Sequence, residues 1–502
     1  MKKYLLILLL FFYSISWSTI HYVTTTATAV SGAALTKETA WTLGYALGSQ
    51  NSANGTNDTI MITAGRYDVY QLGAFYPGGV QVKVHGKSLA EPLLVSGEIV
   101  HGIWATVITE NDSVHGLISA LGANVTFQDL VFENTFDRVN ASHYGGSLFT
   151  VGNNDGVPVP GIKVINNVAR NAMVTGFADN SEGVGITYAW NIAYYNGKKV
   201  NNSNFGYAMY SQNGIRGYGY KHYKDNIFFD NWGRNAQMYG SSVTHIDSIH
   251  FSHNVFFQYA NTTDANAMID MTDGDGILDD PILDSCYFWT ESVNGYGRTW
   301  RESNATNRAL YRGNWMIKGT MYGSSNSTNR TMINNRYWGP VGPDNINVSN
   351  YPNNTWAVGD GDLTGDAMPI WADTVIVRIN PYHTELAHVI VYNRTGGNFK
   401  SWDPQTMLTS GDSLFVYDVQ NLFGAPVIAM KWNSGSISLP MNLTTVETPI
   451  CMPAAKGTLT HTDSRFGVFL LYKKVNTVAI PVEEPPTLLM SLLPISISSI
   501  VR

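Results

Sequence analysis

A short unit built around asparagine recurs along the first two thirds of the chain, and it constrains the fold more than any other feature. In each copy a polar residue and an asparagine precede a run of apolar and aromatic residues, as in Asp225–Phe229 and His253–Phe257. The marking positions, an asparagine or its equivalent, are 129, 167, 191, 226, 254, 285, 314 and 335. Their separation of roughly 20 to 40 residues is typical of solenoid repeats. The pattern therefore predicts a stack of similar coils.

The coils are predicted to be those of a parallel β-helix. Between His21 and Trp338 the sequence has short apolar strands that end at Asn or Gly, without long helical periodicity. In a parallel β-helix each coil adds one strand to each of a few long sheets, and equivalent residues stack about 4.8 Å apart. Asparagine suits the turn between sheets because it tolerates left-handed backbone angles and can bond to the asparagine one coil away. The alternative is an antiparallel sandwich or propeller, but hairpin signals are sparse.

A second repeat places polar side chains on one face of the predicted solenoid. Met-Tyr pairs occur at 209–210, 238–239 and 321–322, and Met268 lies between them. Since Met209, Met238 and Met268 are about one coil apart, we expect a column containing Tyr210, Tyr239 and Asp270.

The entry to the solenoid resembles a known family. The segment from Asp58 to Tyr67, and Asn124–Leu130 after it, look like the first strands of pectate-lyase-like right-handed parallel β-helix proteins. The resemblance covers about residues 20–340 and rests on structural motifs. It implies an all-β fold with a right-handed single-stranded parallel β-helix. Secreted members of this family are commonly polysaccharide lyases or glycoside hydrolases, and others are adhesins or tailspikes.

Composition narrows the function classes. The 502 residues carry a net charge of −7, and only 14% are charged while 12% are aromatic. An average soluble domain has about 25% charged residues, so a coiled coil, a helical bundle and a disordered chain are all disfavoured. The negative charge also argues against a general nucleic-acid binder. Two cysteines, at 286 and 451, exclude a disulfide framework and a metal site built from Cys.

The termini predict export. Residues 1–18 have a basic start, an apolar run from Leu5 to Tyr13 and small residues at Ser16 and Ser18. This layout is that of a secretory signal peptide cleaved after Ser18, and it is too short to span a bilayer comfortably. The protein is therefore expected to be secreted or at the cell surface, without a stable transmembrane span. The tail, residues 476–502, is interpreted as disordered, with a sorting segment as the alternative.

We assign the solenoid to residues 19–340. A second domain is expected after it. Residues 341–372 are rich in Pro, Gly, Asn and Asp and read as a linker. Alternating strands separated by turn signals then return over residues 373–475. We predict a small C-terminal β-sandwich there.

Candidate catalytic groups cluster after Gly206. Tyr210 and Gln212 share a strand face by parity, so Tyr210 could act as an acid or base and Gln212 could bond to sugar hydroxyls; an aromatic and amide ladder that only stabilises the coil is the alternative. Lys221 and His222 could supply the base and positive charge that β-elimination needs, or form a basic surface loop. The remaining substrate-binding candidates are Asn213, Arg216, Tyr239 and the sugar-stacking candidate Trp232, for which a core position is the alternative.

An acidic, glycine-containing segment suggests a cation site. Asp270, Asp273 and Asp275 are spaced like oxygen ligands for calcium, although an ordinary acidic turn accounts for the pattern equally well. Asp270 could instead be one carboxylate of a glycosidase pair.

Taken together, the sequence favours a secreted carbohydrate-active protein that binds and cleaves an extracellular polysaccharide, as a lyase or a glycoside hydrolase. Its partner would be a polysaccharide or another glycan, and calcium its only expected cofactor. A non-catalytic adhesin or structural β-solenoid is the competing hypothesis. It fits the low charge and the many Asn, Ser and Thr residues equally well.

Overall fold

The structure is a computed structural model of the whole chain. The residues that it describes are 18–69, 80–110, 117–135, 146–152, 156–180, 182–197, 206–213, 219–240, 246–258, 267–272, 277–290, 298–302, 305–323, 329–339, 346–358, 368–450 and 459–475. The predicted signal peptide and the tail lie outside these ranges, apart from Ser18.

Three long parallel sheets form most of the molecule, and we number them by their order within a coil. Sheet 1 contains, within the described ranges, Ile20–Val23, Thr59–Ile62, Leu93–Ser96, Val125–Gln128, Lys163–Ile165, Thr187–Ala189, Lys221–Lys224, Ile249–Ser252, Ile282–Asp284, Ala309–Arg312 and Arg330–Ile333. Sheet 2 contains Gly65–Asp68, Thr106–Glu110, Val131–Asn134, Val168–Arg170, Ile192–Tyr194, Ile227–Phe229, Val255–Phe257, Tyr287–Trp289, Trp315–Ile317, Arg336–Gly339 and Thr355–Val358. Sheet 3 contains Val80–Val82, Ile118–Ala120, Phe149–Val151, Thr175–Asp179, Tyr207–Ser211, Arg234–Tyr239, Ala267–Thr272, Arg298–Glu302 and Thr320–Tyr322.

Short elements complete the solenoid. Pairs of two-residue or three-residue strands lie at the coil corners: Val159–Pro160 with Gly183–Val184, Ile277–Asp279 with Ala305–Asn307, and Ile99–Val100 with Ile103–Trp104. Helical segments in the described part of the chain are an α-helix at Leu43–Leu47 and 3-10 helices at Val348–Asn350, Ile370–Ala372 and Val419–Asn421. None of the helices in these ranges is long and apolar enough to cross a bilayer.

Each coil passes from sheet 1 to sheet 2 to sheet 3 and returns to sheet 1 one strand further along. All pairings within the three sheets are parallel. Crossovers between parallel strands are right-handed, so the solenoid is a right-handed parallel β-helix, as predicted. It continues beyond residue 340, because Thr355–Val358 pairs with Arg336–Gly339. The region expected to be a linker, residues 341–372, therefore contains a further strand of the helix.

The turn from sheet 1 to sheet 2 holds the predicted asparagine ladder. The Asn191 amide donates to Asn226 Oδ1 at 3.0 Å, and the Asn226 amide donates to Asn254 Oδ1 at 2.9 Å. The residue before each ladder position, for example Asp225 or His253, adopts the left-handed backbone conformation. The sequence analysis expected one asparagine to adopt the left-handed conformation and to bond to the next coil. In the structure the first residue of each turn is left-handed and the asparagine after it makes the bond.

This division corrects two marking positions. Asp129 and Ser285 are left-handed residues, so the ladder positions of their coils are occupied by Leu130 and Cys286. The Asn314 Oδ1 still accepts from the Cys286 backbone N–H at 2.9 Å. The ladder therefore continues through that coil without an amide side chain.

Aromatic residues stack both inside and outside the solenoid. Inside, the Tyr223 ring lies 4.8 Å from Phe251 and 5.5 Å from Tyr188. On the outer face of sheet 2, Phe229 and Phe257 stack at 4.7 Å. Because alternate residues of a strand point to opposite faces, a run such as Ile227–Phe229 supplies both stacks.

The C-terminal domain is the predicted β-sandwich. One antiparallel layer contains, among the described residues, Thr374–Ile379, Leu386–Tyr392, Phe466–Lys474, Ser413–Asp418 and Ile428–Lys431, and the other contains Phe399–Trp402 and Ile437–Pro440. A core that includes Val389, Leu414 and Leu439 fills the space between them.

The larger layer of the sandwich packs on the outer face of sheet 2. Phe257 and Trp289 form one apolar cluster with Ile390, Tyr392 and Phe466 of the sandwich. The Trp289 and Phe466 rings stack at 5.2 Å, with 5° between their planes. Sheet 2 is therefore covered, and a site for a large ligand has to lie on another face.

Candidate functional site

Sheet 3 presents a polar column on its outer face. The pairing runs from Ala178 to Tyr210, Gln237, Asp270 and Arg301. Tyr210 and Asp270 thus share a column, as predicted.

The third predicted member, Tyr239, does not belong to this column. Tyr239 pairs with Thr272, and Met209 aligns with Ala236 instead of Met238. The Met238–Tyr239 pair is therefore two residues out of register with Met209–Tyr210, whereas Met321 aligns with Met209 through Ala236, Ile269 and Trp300. Tyr239 lies at the strand end with 42% of its surface exposed.

Asp270 is the buried centre of this column. Its Oδ1 accepts from Arg301 Nε at 2.7 Å, its Oδ2 accepts from Arg301 Nη2, and Arg234 Nε lies 3.0 Å from Oδ2. The carboxylate side chain is 1% exposed, whereas Arg234 and Arg301 retain 14% and 23%. A buried carboxylate is costly unless it is paired, so the two guanidinium groups account for its position. We call Asp270, Arg234 and Arg301 the arginine cluster.

Two tyrosines border the arginine cluster. The Tyr207 ring lies 6.1 Å from Tyr210, and the Arg234 guanidinium carbon lies 6.0 Å from the centre of the Tyr207 ring. The Tyr210 hydroxyl donates to Gln212 Oε1 at 3.2 Å, which confirms that these two side chains share a face. Arg234 Nη1 donates to Gln237. The face thus combines guanidinium, phenol and amide groups.

The phenols are protonated at neutral pH. Burial, and then the neighbouring phenols of Tyr207 and Tyr239, raise the pKa of Tyr210 to about 12. Burial also raises the pKa of Tyr207, although the Arg234 charge opposes the shift. Each phenol therefore carries a proton that it could donate, but the raised pKa makes it a weaker acid than an exposed tyrosine.

Lys221 requires a correction, because it lies inside the solenoid. Its side chain is 0% exposed, and Nζ donates to Asp179 Oδ1 at 2.9 Å and to the Gln212 carbonyl at 2.6 Å. Burial lowers the pKa of Lys221, which the charge of Asp179 opposes. The Tyr223 hydroxyl donates to Ser211 Oγ at 2.6 Å within the same buried network. A polymer on the surface cannot reach Lys221, so we do not retain it as a catalytic candidate or as part of a surface loop.

Three other predicted residues are also placed away from the arginine cluster. His222 is exposed on the outer face of sheet 1, where its ring lies 5.5 Å from that of His250. Asn213 is buried, and its amide donates to Asp247 Oδ1 at 2.8 Å. Trp232 is 1% exposed within the apolar cluster beneath the sandwich, so its core reading holds and it is not a sugar-stacking surface.

The calcium prediction falls largely on residues that are not described. Asp273 and Asp275, like Arg216, lie outside the described ranges. Asp270 already faces two guanidinium groups, which disfavours it as a ligand for a cation. Among the described residues no group of three or more His, Cys, Asp or Glu side chains is placed to hold a metal ion.

The sequence analysis missed Arg234, Gln237 and Arg301. The two arginines could have been predicted from the sequence. A buried carboxylate needs an opposite charge beside it, and Arg301 follows Asp270 by 31 residues, which is about one coil. The misread methionine register hid it, since it pointed to Tyr239 as the neighbour of Asp270.

Comparison with known proteins supports the fold. No family model and no curated protein matches the chain. Among solved structures, a rhamnogalacturonan lyase is similar at 10% identity and a TM-score of 0.51, with 72% of this chain and 91% of that chain covered. The pectate lyase Pel9A is similar at 12% identity and a TM-score of 0.37, with 66% and 72% covered.

The chain is thus a parallel β-helix protein, and it shares this fold with the rhamnogalacturonan lyase. Its particular form has a C-terminal β-sandwich packed on sheet 2 and an arginine cluster on sheet 3.

Proposed function

We propose that this protein binds an extracellular acidic polysaccharide along the outer face of sheet 3 and cleaves it by β-elimination. The observation that carries the proposal is the arginine cluster, where Arg234 and Arg301, on the coils either side of Asp270, converge on its carboxylate. Two guanidinium groups and one carboxylate leave a net positive charge on a partly exposed surface. Guanidinium groups recognise carboxylates with directed hydrogen bonds, and a sheet face that crosses several coils matches an extended polymer.

The reaction fits the same groups. In β-elimination the proton beside the uronate carboxylate is removed, and positive charge stabilises the enolate-like intermediate. Arg234 and Arg301 would supply that charge, and the abstracted proton would pass to water. As the C4–C5 double bond forms and the bond from C4 to the glycosidic oxygen breaks, the hydroxyl of Tyr210 would donate its proton to that oxygen, and the resulting phenolate would regain a proton from water. The rhamnogalacturonan lyase with a similar fold, by its name, acts on a polymer that contains galacturonate, which supports this substrate class.

The second candidate is a non-catalytic binder of the same polymer. It is favoured by the fact that both oxygens of Asp270 are engaged by arginine and that the phenols of Tyr207 and Tyr210 hold their protons. A glycoside hydrolase is less well supported. Asp270 is sealed in its ion pairs, whereas a glycosidase acid and its partner must both reach the scissile bond.

Purified protein would be incubated with polygalacturonate, alginate and neutral polysaccharides, with and without calcium. Ultraviolet absorbance would report unsaturated uronate ends, and reducing ends would be measured in parallel. A lyase gives both signals, a hydrolase gives reducing ends alone, and a binder gives neither while it retains the polymer.

Variants assign the groups. Tyr210→Phe is expected to lower kcat by about a hundredfold or more with little change in binding, because it removes only a proton donor. Arg301→Gln is expected to weaken binding of the acidic polymer by about tenfold or more, since a charge-assisted contact is lost. The matched control is Arg312→Gln, an arginine on sheet 1 that pairs with Asp284. If Arg301→Gln, folded as judged by circular dichroism, binds and cleaves like the parent, the arginine cluster is not the site.

A further inference from the structure

A cavity lies where the N-terminal coils meet the sandwich, away from the arginine cluster. Its volume is about 670 Å³, within the range of small-molecule sites. The floor is the outward column of sheet 1 formed by Tyr22, Met61, Ser96 and Gln128, which pair in register. The sandwich contributes His383, Glu385 and Tyr472 to the wall. The cavity therefore exists only because the two domains are packed together.

Charged groups in the cavity are held in fixed positions. His383 Nε2 lies 2.8 Å from Asp129 Oδ1 and 2.9 Å from Oδ2, and its Nδ1 lies 3.4 Å from Glu385 Oε1. Lys37 Nζ donates to Glu98 Oε1 at 3.2 Å. Asp129 is 3% exposed, whereas the Glu385 side chain is 42% exposed. The carboxylates of Asp129, Glu98 and Glu385 thus face the ammonium group of Lys37 and the imidazole of His383, and Glu385 is the most accessible of the three carboxylates.

Aromatic rings complete the walls. Tyr22 and Tyr472 both line the cavity and are partly exposed. Gly102 lies against the Tyr472 ring, and a Cβ at Gly102 would be only 2.4 Å from Tyr472 Cγ. Glycine at this position therefore lets the ring pack close to the hairpin that forms the cavity rim.

We propose that this cavity binds a neutral saccharide of about two to three sugar units. Hydroxyl groups of a sugar donate to carboxylates such as Glu385 and Glu98, and tyrosine rings pack against the apolar faces of sugar rings. The excess of carboxylates disfavours a uronate, because like charges repel at short range. The cavity would then select neutral sugars, whereas the arginine cluster would select acidic ones.

Binding of neutral trisaccharides with gluco, galacto and manno configuration would be measured by calorimetry on the intact protein, with trigalacturonate as the acidic probe. At least one neutral trisaccharide is expected to bind. Glu385→Gln is expected to weaken that binding about five- to tenfold, since it replaces a charged acceptor by a neutral one, and Tyr22→Ala is expected to weaken it further. The matched controls are Glu91→Gln, whose parent carboxylate is 38% exposed outside the cavity, and Tyr220→Ala, whose ring lies beside His222 just before a strand of sheet 1 and is 43% exposed.

Absence of binding by every neutral trisaccharide, or binding that Glu385→Gln and Tyr22→Ala leave unchanged, would overturn the proposal. Loss of neutral binding in Arg301→Gln would overturn it as well, because the ligand would then occupy the arginine cluster. The proposed function is tested separately by trigalacturonate, whose binding should respond to Arg301→Gln and not to Glu385→Gln.

Discussion

At the residue scale, the asparagine ladder shows how one side chain satisfies several backbone groups in a buried turn. Asn254 Oδ1 accepts both the backbone N–H and the side-chain amide of Asn226. Its own amide donates to the Tyr223 carbonyl at 2.7 Å. Buried polar groups without partners cost about 1–3 kcal/mol each, so each asparagine matters to the stability of two coils.

Cys286, like Leu130, occupies a ladder position without an amide side chain, and it provides a test of the ladder. Its sulfur lies 3.8 Å from Asn254 Nδ2, a weak contact, and the side chain is buried. Cys286→Asn is expected to raise the free energy of unfolding by about 0.5–1.5 kcal/mol, since an amide would restore the hydrogen bonds. Urea denaturation measures the effect.

The matched variant is Cys286→Ala, which removes the sulfur without adding an amide and should not stabilise the protein. Destabilisation by Cys286→Asn would show that this coil cannot accommodate the ladder geometry.

At the element scale, the strand Leu386–Tyr392 of the sandwich carries a buried histidine. His388 is 2% exposed, and its ring lies 4.5 Å from that of Trp190 in the solenoid. Burial, above all, lowers the pKa of His388 from 6.5 to about 3. The folded protein therefore holds this ring neutral over a pH range in which the unfolded chain protonates it.

This difference predicts a pH dependence with a definite sign. Above pH 6.5 the ring is neutral in both the folded and the unfolded state, so the free energy of unfolding is at its full value. As the pH falls from 6.5 toward about 3, only the unfolded state takes up the proton, and the free energy of unfolding decreases. His388→Phe cannot take up a proton. The stability of the parent relative to this variant should fall by a few kcal/mol, an order-of-magnitude figure, between these pH values. Urea denaturation at several pH values measures it, and parallel curves would contradict it.

Sequence reasoning reached the element scale more securely than the residue scale. Repeats such as Asn226–Phe228 and Asn254–Phe256 reported the coil, because the ladder is a local device that each coil repeats. Sequence reasoning did not predict that Lys221 lies inside the solenoid, because its partner Asp179 is 42 residues earlier in the chain. Nor did sequence reasoning place Arg301 beside Asp270, because their contact depends on the register between coils of irregular length. The residues that meet on a solenoid face are determined by the register between coils. A predicted register that is wrong by one or two residues therefore brings the wrong residues together.

At the scale of the whole molecule, the sandwich acts as a cover for sheet 2. The outer face of that sheet carries Ile227, Phe229, Phe257 and Trp289, all at most 1% exposed. Exposed apolar patches of several hundred Å² promote association. The packing also forms the cavity around His383, so both domains are needed for the complete binding surface.

Removal of the sandwich should therefore expose an adhesive face. A chain that ends after Val358 is expected to self-associate, as measured by light scattering, while the full chain does not under the same conditions. Replacing Phe229 and Phe257 by Ser in the shortened chain should reduce the association. A shortened chain that stays monomeric would contradict the role given to this interface.

The most direct test of the central claim is a crystal structure of the protein with a bound oligogalacturonate. We predict a sugar chain that runs across the strands of sheet 3. One of its carboxylates would be hydrogen-bonded to Arg234 or Arg301, and one of its glycosidic oxygens would lie near the hydroxyl of Tyr210. A sugar chain bound on sheet 1, or within the cavity at His383, with sheet 3 unoccupied, would contradict it.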